Sequence, residues 1–299
     1  MNPVHHRLHN RCWNFISSRM TDAIADLLPL DPGGAASSIS SSMPWARAAA
    51  TFSNPATPIA RFRRLKAVRD VVETVGPVDG RSYARKIRSW DPNRLADPKI
   101  AEIDLWGDPI RWPAILLGTP RAFSPTTLRY LATALWLKRE GYVTENCHIT
   151  EIGVGFGGLA SMNAIVSNAR TTMVDLPQVE SLGKRMMTDL GLGNCCSCSD
   201  APLPAGDRCF ISNYAFTELS AQSQDEYLET WIRPASKGVI VSNAAMFSKS
   251  IGGRSDADLL SMLRTAGIQA ISTQSSDLFS PADILCDVTL IHWNHNPSP

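Results

Sequence analysis

The sequence predicts an α/β protein built on a mostly parallel, doubly wound β-sheet. From about residue 124 onward, strand patterns alternate with helix patterns, which is typical of this class. A glycine-rich turn at residues 151–158 lies between a predicted strand and a predicted helix. The last two predicted strands, at 269–273 and 287–293, are separated by a loop and should therefore pair antiparallel. We expect seven strands, with an antiparallel last strand on an otherwise parallel sheet.

The regular part of the chain begins at Ser124 and Pro125, an N-cap followed by proline at the first helical position. The helix that they open should stop at Gly141. Further strands are predicted at residues 148–152, 171–174, 195–197, 208–212 and 238–242. Further helices are predicted at residues 159–168, 177–191, 222–232 and 256–266, and residues 244–255 should form a long flexible connection.

The sequence divides into four predicted segments. Residues 1–30 should contain a short amphipathic helix, and residues 31–58 are a flexible linker rich in Ser, Ala, Gly and Pro. Residues 59–123 should form a helical cap or a homodimer contact, beginning with a basic helix at 59–75. Residues 124–299 form the α/β domain.

Charge and cysteine content narrow the class of protein. The chain has 299 residues and a net charge of +1, and residues 1–95 hold 14 Lys and Arg against 7 Asp and Glu. These basic residues alternate with apolar ones, which favours a solvated helix face over a nucleic-acid site. No apolar run approaches the roughly 20 residues of a membrane span, and we expect no secretory signal because residues near the N-terminus lack a hydrophobic core segment. The seven cysteines lack a second pair of ligands at metal-site spacing, so we expect reduced thiols, no metal and a cytoplasmic protein.

The glycine-rich turn is the main candidate binding site. Gly153, Gly155 and Gly158 satisfy the GxGxxG pattern, and Gly157 adds a fourth glycine to the turn. Such a turn lets a ligand approach the backbone and presents unpaired N–H groups at the start of a helix. By itself it is compatible with a dinucleotide or with S-adenosylmethionine.

Two acids flank this turn. Glu151 lies two residues before Gly153, where dinucleotide folds usually have an apolar residue, and a carboxylate there can face the cationic methionine end of S-adenosylmethionine. Asp175 and Leu176 end the next strand, where the Asp175 carboxylate can accept both ribose hydroxyls of either cofactor. The antiparallel end of the sheet favours S-adenosylmethionine. Asp175 can alternatively cap the helix that follows it.

The remaining candidates follow from the rule that ligands bind at the carboxyl ends of parallel strands. Asp200 is placed to contact the adenine amino group, Asn213 to line the cofactor site, and Arg129 to reach the methionine carboxylate. Tyr214 and Glu218 are the catalytic candidates, Tyr214 to position an acceptor and Glu218 to remove its proton. Each of these residues can instead have a purely local role. Asp200 can be an ordinary turn residue, Arg129 an exposed residue of its helix, and Glu218 a residue that caps or pairs near the following helix. His292 should lie at the far end of its strand, whereas residues 280–283 should line the site.

Several segments carry a resemblance to a known family. They are DLWGDP at 104–109, SPTTLRYL at 124–131, EIGVGFGG at 151–158, VDLPQV at 174–179 and ISNYAFTEL at 211–219. Over roughly residues 100–293 the chain resembles a family of sugar O-methyltransferases among the class I S-adenosylmethionine-dependent methyltransferases. The resemblance implies a Rossmann-like methyltransferase fold, S-adenosylmethionine as cofactor, and O-methylation of a hydroxyl on a sugar or another polar small molecule.

Other functions stay open at this point. A methyltransferase of this fold can also act on a natural-product intermediate or on an amine. An NAD(P)-dependent oxidoreductase is compatible with GxGxxG, although it calls for a parallel second half of the sheet. A noncatalytic module would have no need of both the intact glycine turn and Asp175.

Overall fold

A seven-stranded sheet forms the centre of the protein. The computed structural model describes residues 44–204 and 206–294. The strands are β1 (His148–Ile152), β2 (Arg170–Val174), β3 (Cys196–Cys198), β4 (Arg208–Asn213), β5 (Lys237–Ser242), β6 (Ile271–Thr273) and β7 (Thr289–Asn294). Their spatial order is β3-β2-β1-β4-β5-β7-β6. Strands β1 to β5 are parallel, and β7 runs antiparallel between β5 and β6. The predicted mostly parallel, Rossmann-like sheet with an antiparallel end is confirmed.

Helices cover the sheet and build the region in front of it. They are α1 (Pro44–Ser53), α2 (Lys66–Arg69), α3 (Pro77–Trp90), α4 (Pro98–Leu105), α5 (Ala114–Leu117), α6 (Pro125–Arg139), α7 (Gly158–Ser167), α8 (Pro177–Asp189), α9 (Ala221–Tyr227), α10 (Ala244–Ile251), α11 (Asp256–Thr265) and α12 (Pro281–Leu285). A π-helical segment, Leu228–Ile232, continues α9. Within the described ranges, no helix is both long and apolar enough to span a membrane.

Alternating side chains of the strands divide the core between the two faces of the sheet. In β5, Val239 and Val241 belong to the larger cluster, which includes Leu131 of α6. Ile240, between them, belongs to a second cluster with Leu263 of α11. Successive strand residues point to opposite faces, so one short apolar strand buries side chains in both layers. The result is the three-layer arrangement that the alternating elements predict.

The predicted linker at 31–58 is wrong for residues 44–53, which form helix α1. Trp45 and Ala49 are buried, and the Arg185 guanidinium of α8 donates hydrogen bonds to the carbonyl oxygens of Phe52 and Asn54. Composition did not indicate this helix, because its stability depends on one aromatic anchor and on contacts with a distant element. Residues 31–43 and the predicted helix in residues 1–30 lie outside the described part of the chain.

The basic segment at 59–75 is not one solvated helix as predicted. It contains a 3₁₀ turn, Phe62–Arg64, preceded by Arg61 in a left-handed conformation, and then the four-residue α2. Arg61 and Arg64 are exposed, but the Arg63 side chain is only 1% exposed. Because the segment is not one continuous helix, Arg63 can point into the interior while Arg61 and Arg64 remain exposed to solvent.

A buried polar network surrounds Arg63. Its guanidinium pairs with Glu73 and donates to the hydroxyls of Ser124 and Thr127, both at 3.2 Å. It also lies 4.6 Å from the centroid of the Phe156 ring, which belongs to the glycine-rich turn. A buried cation is tolerated only when it is paired and hydrogen-bonded, and these groups meet that need. The network therefore fixes the N-terminal region against α6 and the glycine-rich turn.

Two short helices occur in the C-terminal part of the chain where loops were predicted. Residues 244–251, expected to be a flexible connection, form α10, and α12 interrupts the loop expected between the last two strands. In α12, Ser280 and Asp283 form a capping box, which stabilises a helix of only five residues. His292 of β7 is paired with Val239, towards the opposite end of the sheet from the β5 carboxyl end, as predicted.

Removing the buried arginine should destabilise the protein much more than removing an exposed one. Arg63→Ala leaves the buried Glu73 without its partner, which should lower the free energy of unfolding by about 3 to 5 kcal/mol. Arg64→Ala is the matched control, since its pair with Asp108 is exposed and worth less than about 1 kcal/mol. Urea unfolding followed by circular dichroism measures both. Equal losses in the two variants would contradict a stabilising role of the network.

Candidate functional site

The glycine-rich turn follows β1 at the carboxyl edge of the sheet. Gly153, Gly155 and Gly157 all have positive φ, at 77°, 55° and 91°. A Cβ added at Gly153 would lie 2.0 Å from the Cβ of Ala215, and one at Gly157 would lie 3.2 Å from the backbone of Gly183. Both the backbone conformation and the lack of space require glycine at these two positions. The predicted turn thus brings β1, β4 and α8 into close contact.

Glu151 lies beneath this turn, in the register position between Met173 of β2 and Ile211 of β4. The residue is 3% exposed, and its Oε2 atom has no hydrogen-bond partner. Burial, together with the smaller effect of the nearby Asp175, raises the pKa of Glu151 to about 8. A buried carboxyl oxygen without a donor is costly, so this atom suits a cationic or N–H-bearing ligand group.

Asp175 lies next to the turn, at the end of β2. Its Oδ1 accepts the backbone N–H of Leu176 at 2.8 Å. Burial raises the pKa of Asp175 to about 7, against the opposing effect of hydrogen bonds from the Leu176, Gly155 and Val154 backbones. The structure therefore places Glu151, the glycine turn, Asp175 and Leu176 together.

Glu180, in the first turn of α8, belongs to the same group and was missed in the sequence. Its carboxylate accepts the backbone N–H of Asp175 at 3.1 Å and that of Ser199 at 3.3 Å. It is buried and joins the carboxyl ends of β2 and β3. An acid in the first turn of the helix after Asp175 was the signal that could have identified it. Asp200, the predicted adenine contact, is exposed beyond β3.

The Arg129 side chain lies beside the turn, not at the helix surface. Its guanidinium carbon is 5.4 Å from the centroid of the Tyr130 ring and 5.7 Å from that of the Tyr214 ring. The Arg129 Nε atom is buried and has no hydrogen-bond partner. The Tyr130 ring in turn covers Gly158, since a Cβ there would lie 2.3 Å from it. A half-buried cation whose buried Nε donor has no partner is suited to an anionic ligand group.

Tyr214 connects the end of β4 to α12. Its backbone has φ 78°, which is unusual for a bulky residue, and its hydroxyl donates to Asp283 Oδ1 at 2.7 Å. Tyr83 of α3 donates to the other oxygen of Asp283 at 3.0 Å. Burial raises the pKa of both tyrosines well above the usual range. Two neutral phenols therefore hold one carboxylate at this point.

These groups surround a narrow gap that has no room for a water molecule. Its lining consists of Tyr83, Arg129, Thr133, Asn213, Tyr214, Val241, Leu278, Phe279 and Asp283. Of the residues predicted to line the site, the structure places Asn213, Tyr214, Arg129 and Asp283, the last from the predicted segment 280–283, on this space. We refer to it as the edge cavity.

Glu218 lies apart from the edge cavity. It ends the 3₁₀ turn after Tyr214, and its Oε1 accepts a hydrogen bond of 2.7 Å from Asn243, at the carboxyl end of β5. Burial raises the pKa of Glu218, although the Asn243 amide acts in the opposite direction. This position matches the local pairing foreseen as an alternative for Glu218.

Residues of the N-terminal region cover the site. A Cβ at Gly155 would meet the Val72 side chain at 3.3 Å. The ammonium group of Lys86 in α3 donates to the carbonyl oxygen of Phe279 at 2.7 Å, and Asp79 accepts the Ala282 N–H at 3.0 Å. The cover thus contacts both the glycine turn and the loop that carries α12.

Several solved structures that match part of this chain are methyltransferases. The geranyl diphosphate C-methyltransferase of Streptomyces coelicolor A3(2) matches with a TM-score of 0.42 and 13% identity, over 55% of this chain and 79% of that one. Mitomycin 7-O-methyltransferase matches with a TM-score of 0.44 and 15% identity, over 75% and 74%. The phosphoethanolamine N-methyltransferase 2 of Haemonchus contortus matches with a TM-score of 0.43 and 13% identity, over 56% and 53%. No family model and no curated protein sequence matches the chain.

Burial of Glu151 and Asp175 should make stability depend on pH. Both pKa values are raised in the folded protein, so between about pH 4 and about pH 8 the folded state retains protons that the unfolded state has lost. The free energy of unfolding should therefore fall as pH rises through this range, by up to about 1.4 kcal/mol per pH unit for each group. Urea unfolding at closely spaced pH values measures the slope.

Two variants test whether Glu151 contributes to that slope. Glu151→Gln cannot ionise, so its free energy of unfolding should decline less steeply with pH than that of the wild type. Glu145→Gln, at an exposed position just before β1, is the control and should keep the wild-type slope. If all three proteins show the same slope, Glu151 does not retain a proton in the folded state.

Proposed function

We propose that the protein is an S-adenosylmethionine-dependent methyltransferase. The observation that carries this proposal is the buried Glu151, whose Oε2 lacks a partner directly before the glycine turn. An ammonium group would satisfy that oxygen, whereas the pyrophosphate of a dinucleotide would bring negative charge to it. The strand order adds support, because β7 lies antiparallel where a dinucleotide-binding sheet continues with a parallel strand.

Each part of the cofactor has a candidate partner in the chain. Glu151 would bind its ammonium group and Arg129 its carboxylate, while Asp175 would accept the ribose hydroxyls beside Leu176. The backbone of Gly153, Gly155 and Gly157 would allow close approach, with Asn213 alongside and Asp200 at the adenine. When bound, S-adenosylmethionine supplies a methyl group activated by its sulfonium sulfur.

The proposed reaction is O-methylation of a hydroxyl on a sugar or another polar small molecule. Tyr214 is proposed to position the acceptor, and Glu218 to remove its proton, because burial raises the pKa of Glu218 and makes it a stronger base than an exposed glutamate. A natural-product intermediate or an amine is the alternative acceptor. A cytoplasmic location and a homodimer through residues 59–123 complete the proposal, and the exposed Leu105, Ile110 and Ile115 support such a contact.

Titration calorimetry of the purified full-length chain tests the cofactor. S-adenosylmethionine should bind, NAD should not, and Asp175→Ala should weaken S-adenosylmethionine binding by about 10- to 100-fold, because hydrogen bonds to a charged group contribute about 1.5 to 3 kcal/mol. Asp189→Ala, at the far end of α8, is the control and should leave affinity unchanged. Tight NAD binding without a response to S-adenosylmethionine would refute the proposal.

A second substitution tests the proposed base. Glu218→Gln preserves the shape of the side chain but cannot take up a proton, so methyl transfer should slow by about 100-fold or more. Cofactor affinity should change little, because Glu218 is not among the proposed cofactor partners. Transfer from labelled S-adenosylmethionine measures the rate, and calorimetry measures the affinity. Normal turnover in this variant would remove Glu218 from the reaction.

A further inference from the structure

Helix α3 presents a row of arginines to solvent. Arg81, Arg85 and Arg88 are spaced at i, i+4 and i+7, so they lie on one face of this 14-residue helix, and all three are exposed. The opposite face, which includes Ala84 and Ile87, is fully buried against the rest of the protein. The helix is therefore fixed by one face and displays a basic stripe on the other.

The charges of this stripe are not neutralised by the chain itself. Within residues 44–204 and 206–294, no ion pair involves any of the three arginines. The acids of α3 and of the segments beside it, Asp79, Asp91 and Asp277, bond instead to a backbone N–H or to other arginines. Three like charges on one exposed helix face attract an anionic partner.

Exposed apolar side chains lie next to the stripe. Val78, in the first turn of α3, is 68% exposed, and Ile284 and Leu285 at the end of α12 are 63% and 48% exposed. Helix α12 is held against α3, where Asp79 accepts the N–H of Ala282. Single exposed apolar residues need no explanation, but a group of them beside a basic face is typical of an interaction surface. We refer to Val78, Arg81, Arg85, Arg88, Ile284 and Leu285 as the docking face.

The combination of positive charge and aliphatic surface decides which partner fits. A nucleic acid offers phosphates, but it has no apolar layer for three aliphatic side chains. A second copy in a two-fold contact would place the arginines of one protomer against those of the other. An anionic lipid bilayer supplies both negative head groups and hydrocarbon beneath them. The residues that support the proposed homodimer, Leu105, Ile110 and Ile115, are not part of the docking face.

We propose that the docking face binds the protein to the surface of an anionic lipid membrane. The three guanidinium groups lie among the lipid head groups, while the side chains of Val78, Ile284 and Leu285 reach the boundary with the acyl chains. The attachment is peripheral and reversible, because a few basic and aliphatic side chains contribute far less than a membrane-spanning helix. Helix α3 also covers the carboxyl edge of the sheet, so the docked protein holds this edge close to the membrane.

Co-sedimentation of the purified full-length chain with lipid vesicles tests the electrostatic part of the proposal. The protein should bind vesicles of phosphatidylcholine that contain about one quarter phosphatidylserine, and it should not bind phosphatidylcholine alone. Replacing Arg81, Arg85 and Arg88 together by Gln should weaken binding by about 100-fold, because each basic residue near an anionic surface contributes about five-fold. Raising the salt concentration from about 0.1 M to about 0.5 M should also release the wild type.

Two further triple variants serve as controls for the arginines. Replacement of the three arginines by Lys keeps the charge and should keep most of the affinity. The other variant removes the same number of charges from exposed arginines elsewhere on the surface, and its affinity should stay within about 3-fold of the wild type. It consists of Arg170→Gln, Arg233→Gln and Arg264→Gln. Circular dichroism of every variant should match that of the wild type, because all the substituted residues are exposed.

The apolar side chains distinguish a bilayer from other polyanions. Ile284→Ser combined with Leu285→Ser should weaken vesicle binding by about 10-fold or more, since two aliphatic side chains no longer enter the lipid boundary. Ile271→Ser, at another exposed aliphatic position, is the control and should bind vesicles as the wild type does. Poly-L-glutamate and duplex DNA carry negative charge without hydrocarbon, so the wild type should bind both more weakly than the anionic vesicles.

Several results would overturn the membrane assignment. One is a wild type that ignores anionic vesicles, and another is an equal loss of binding in the two Gln variants. If poly-L-glutamate or DNA binds as tightly as vesicles and the Ser variant keeps its vesicle affinity, the face recognises an acidic protein or a nucleic acid. If vesicles do not bind but the protein self-associates and the Arg81, Arg85 and Arg88 variant does not, the face contacts a second copy. None of these measurements involves cofactor binding or methyl transfer, so they leave the proposed function to its own tests.

Discussion

The burial of the Arg63 guanidinium is the constraint on which the arrangement of the site depends. The basic segment is not a continuous helix, and this lets the Arg63 side chain point into the interior. There it pairs with Glu73 and donates hydrogen bonds to the hydroxyls of Ser124 and Thr127 at the start of α6. Its contact with the Phe156 ring ties the same network to the glycine turn. Because a buried charge without partners is very costly, the N-terminal region, α6 and the turn must keep their relative positions for Arg63 to stay inside. Val72, which packs against Gly155, is held over the turn as a consequence.

A second feature is the concentration of acidic groups at one edge of the sheet. Glu151 lies at the end of β1, Asp175 follows β2, and Glu180 lies in the first turn of α8. Glu218 and Asp283 lie on the other side, near the ends of β4 and β5. Burial raises the pKa of Glu151 to about 8 and that of Asp175 to about 7, and it raises the pKa of Glu218 in the same direction. Arg129 is the cation beside them, with an Nε donor still free. Under the proposed function, the side with Glu151 and Asp175 would hold the cofactor and the side with Glu218 would face the acceptor.

The sheet and the cofactor side were largely predictable from local sequence signals. Alternating strands and helices, the Ser124 cap and the glycine turn depend on neighbouring residues, and each element lies within a few residues of its predicted place. Helix α1 and helix α12 were not predicted, because a burial contact stabilises the first and a capping box of only four residues stabilises the second. Arg63 was predicted to be solvated for a similar reason. Nothing in its immediate sequence distinguishes it from Arg61 or Arg64, and only the distant Glu73, Ser124 and Thr127 make its burial possible.

The sequence by itself determined the order of the elements, the glycine turn and the two acids that flank it, because these follow from residue type and short spacing. Only the tertiary structure decided which polar groups meet across long separations. Tyr83 and Asp283 lie 200 residues apart, and Glu180 turns back to the backbone of Asp175 and Ser199. The physical reason is that a hydrogen bond requires a distance of about 3 Å in space and places no condition on separation along the chain. The cofactor side was accordingly visible in the sequence, whereas the edge cavity became visible only when the folded chain brought its walls together.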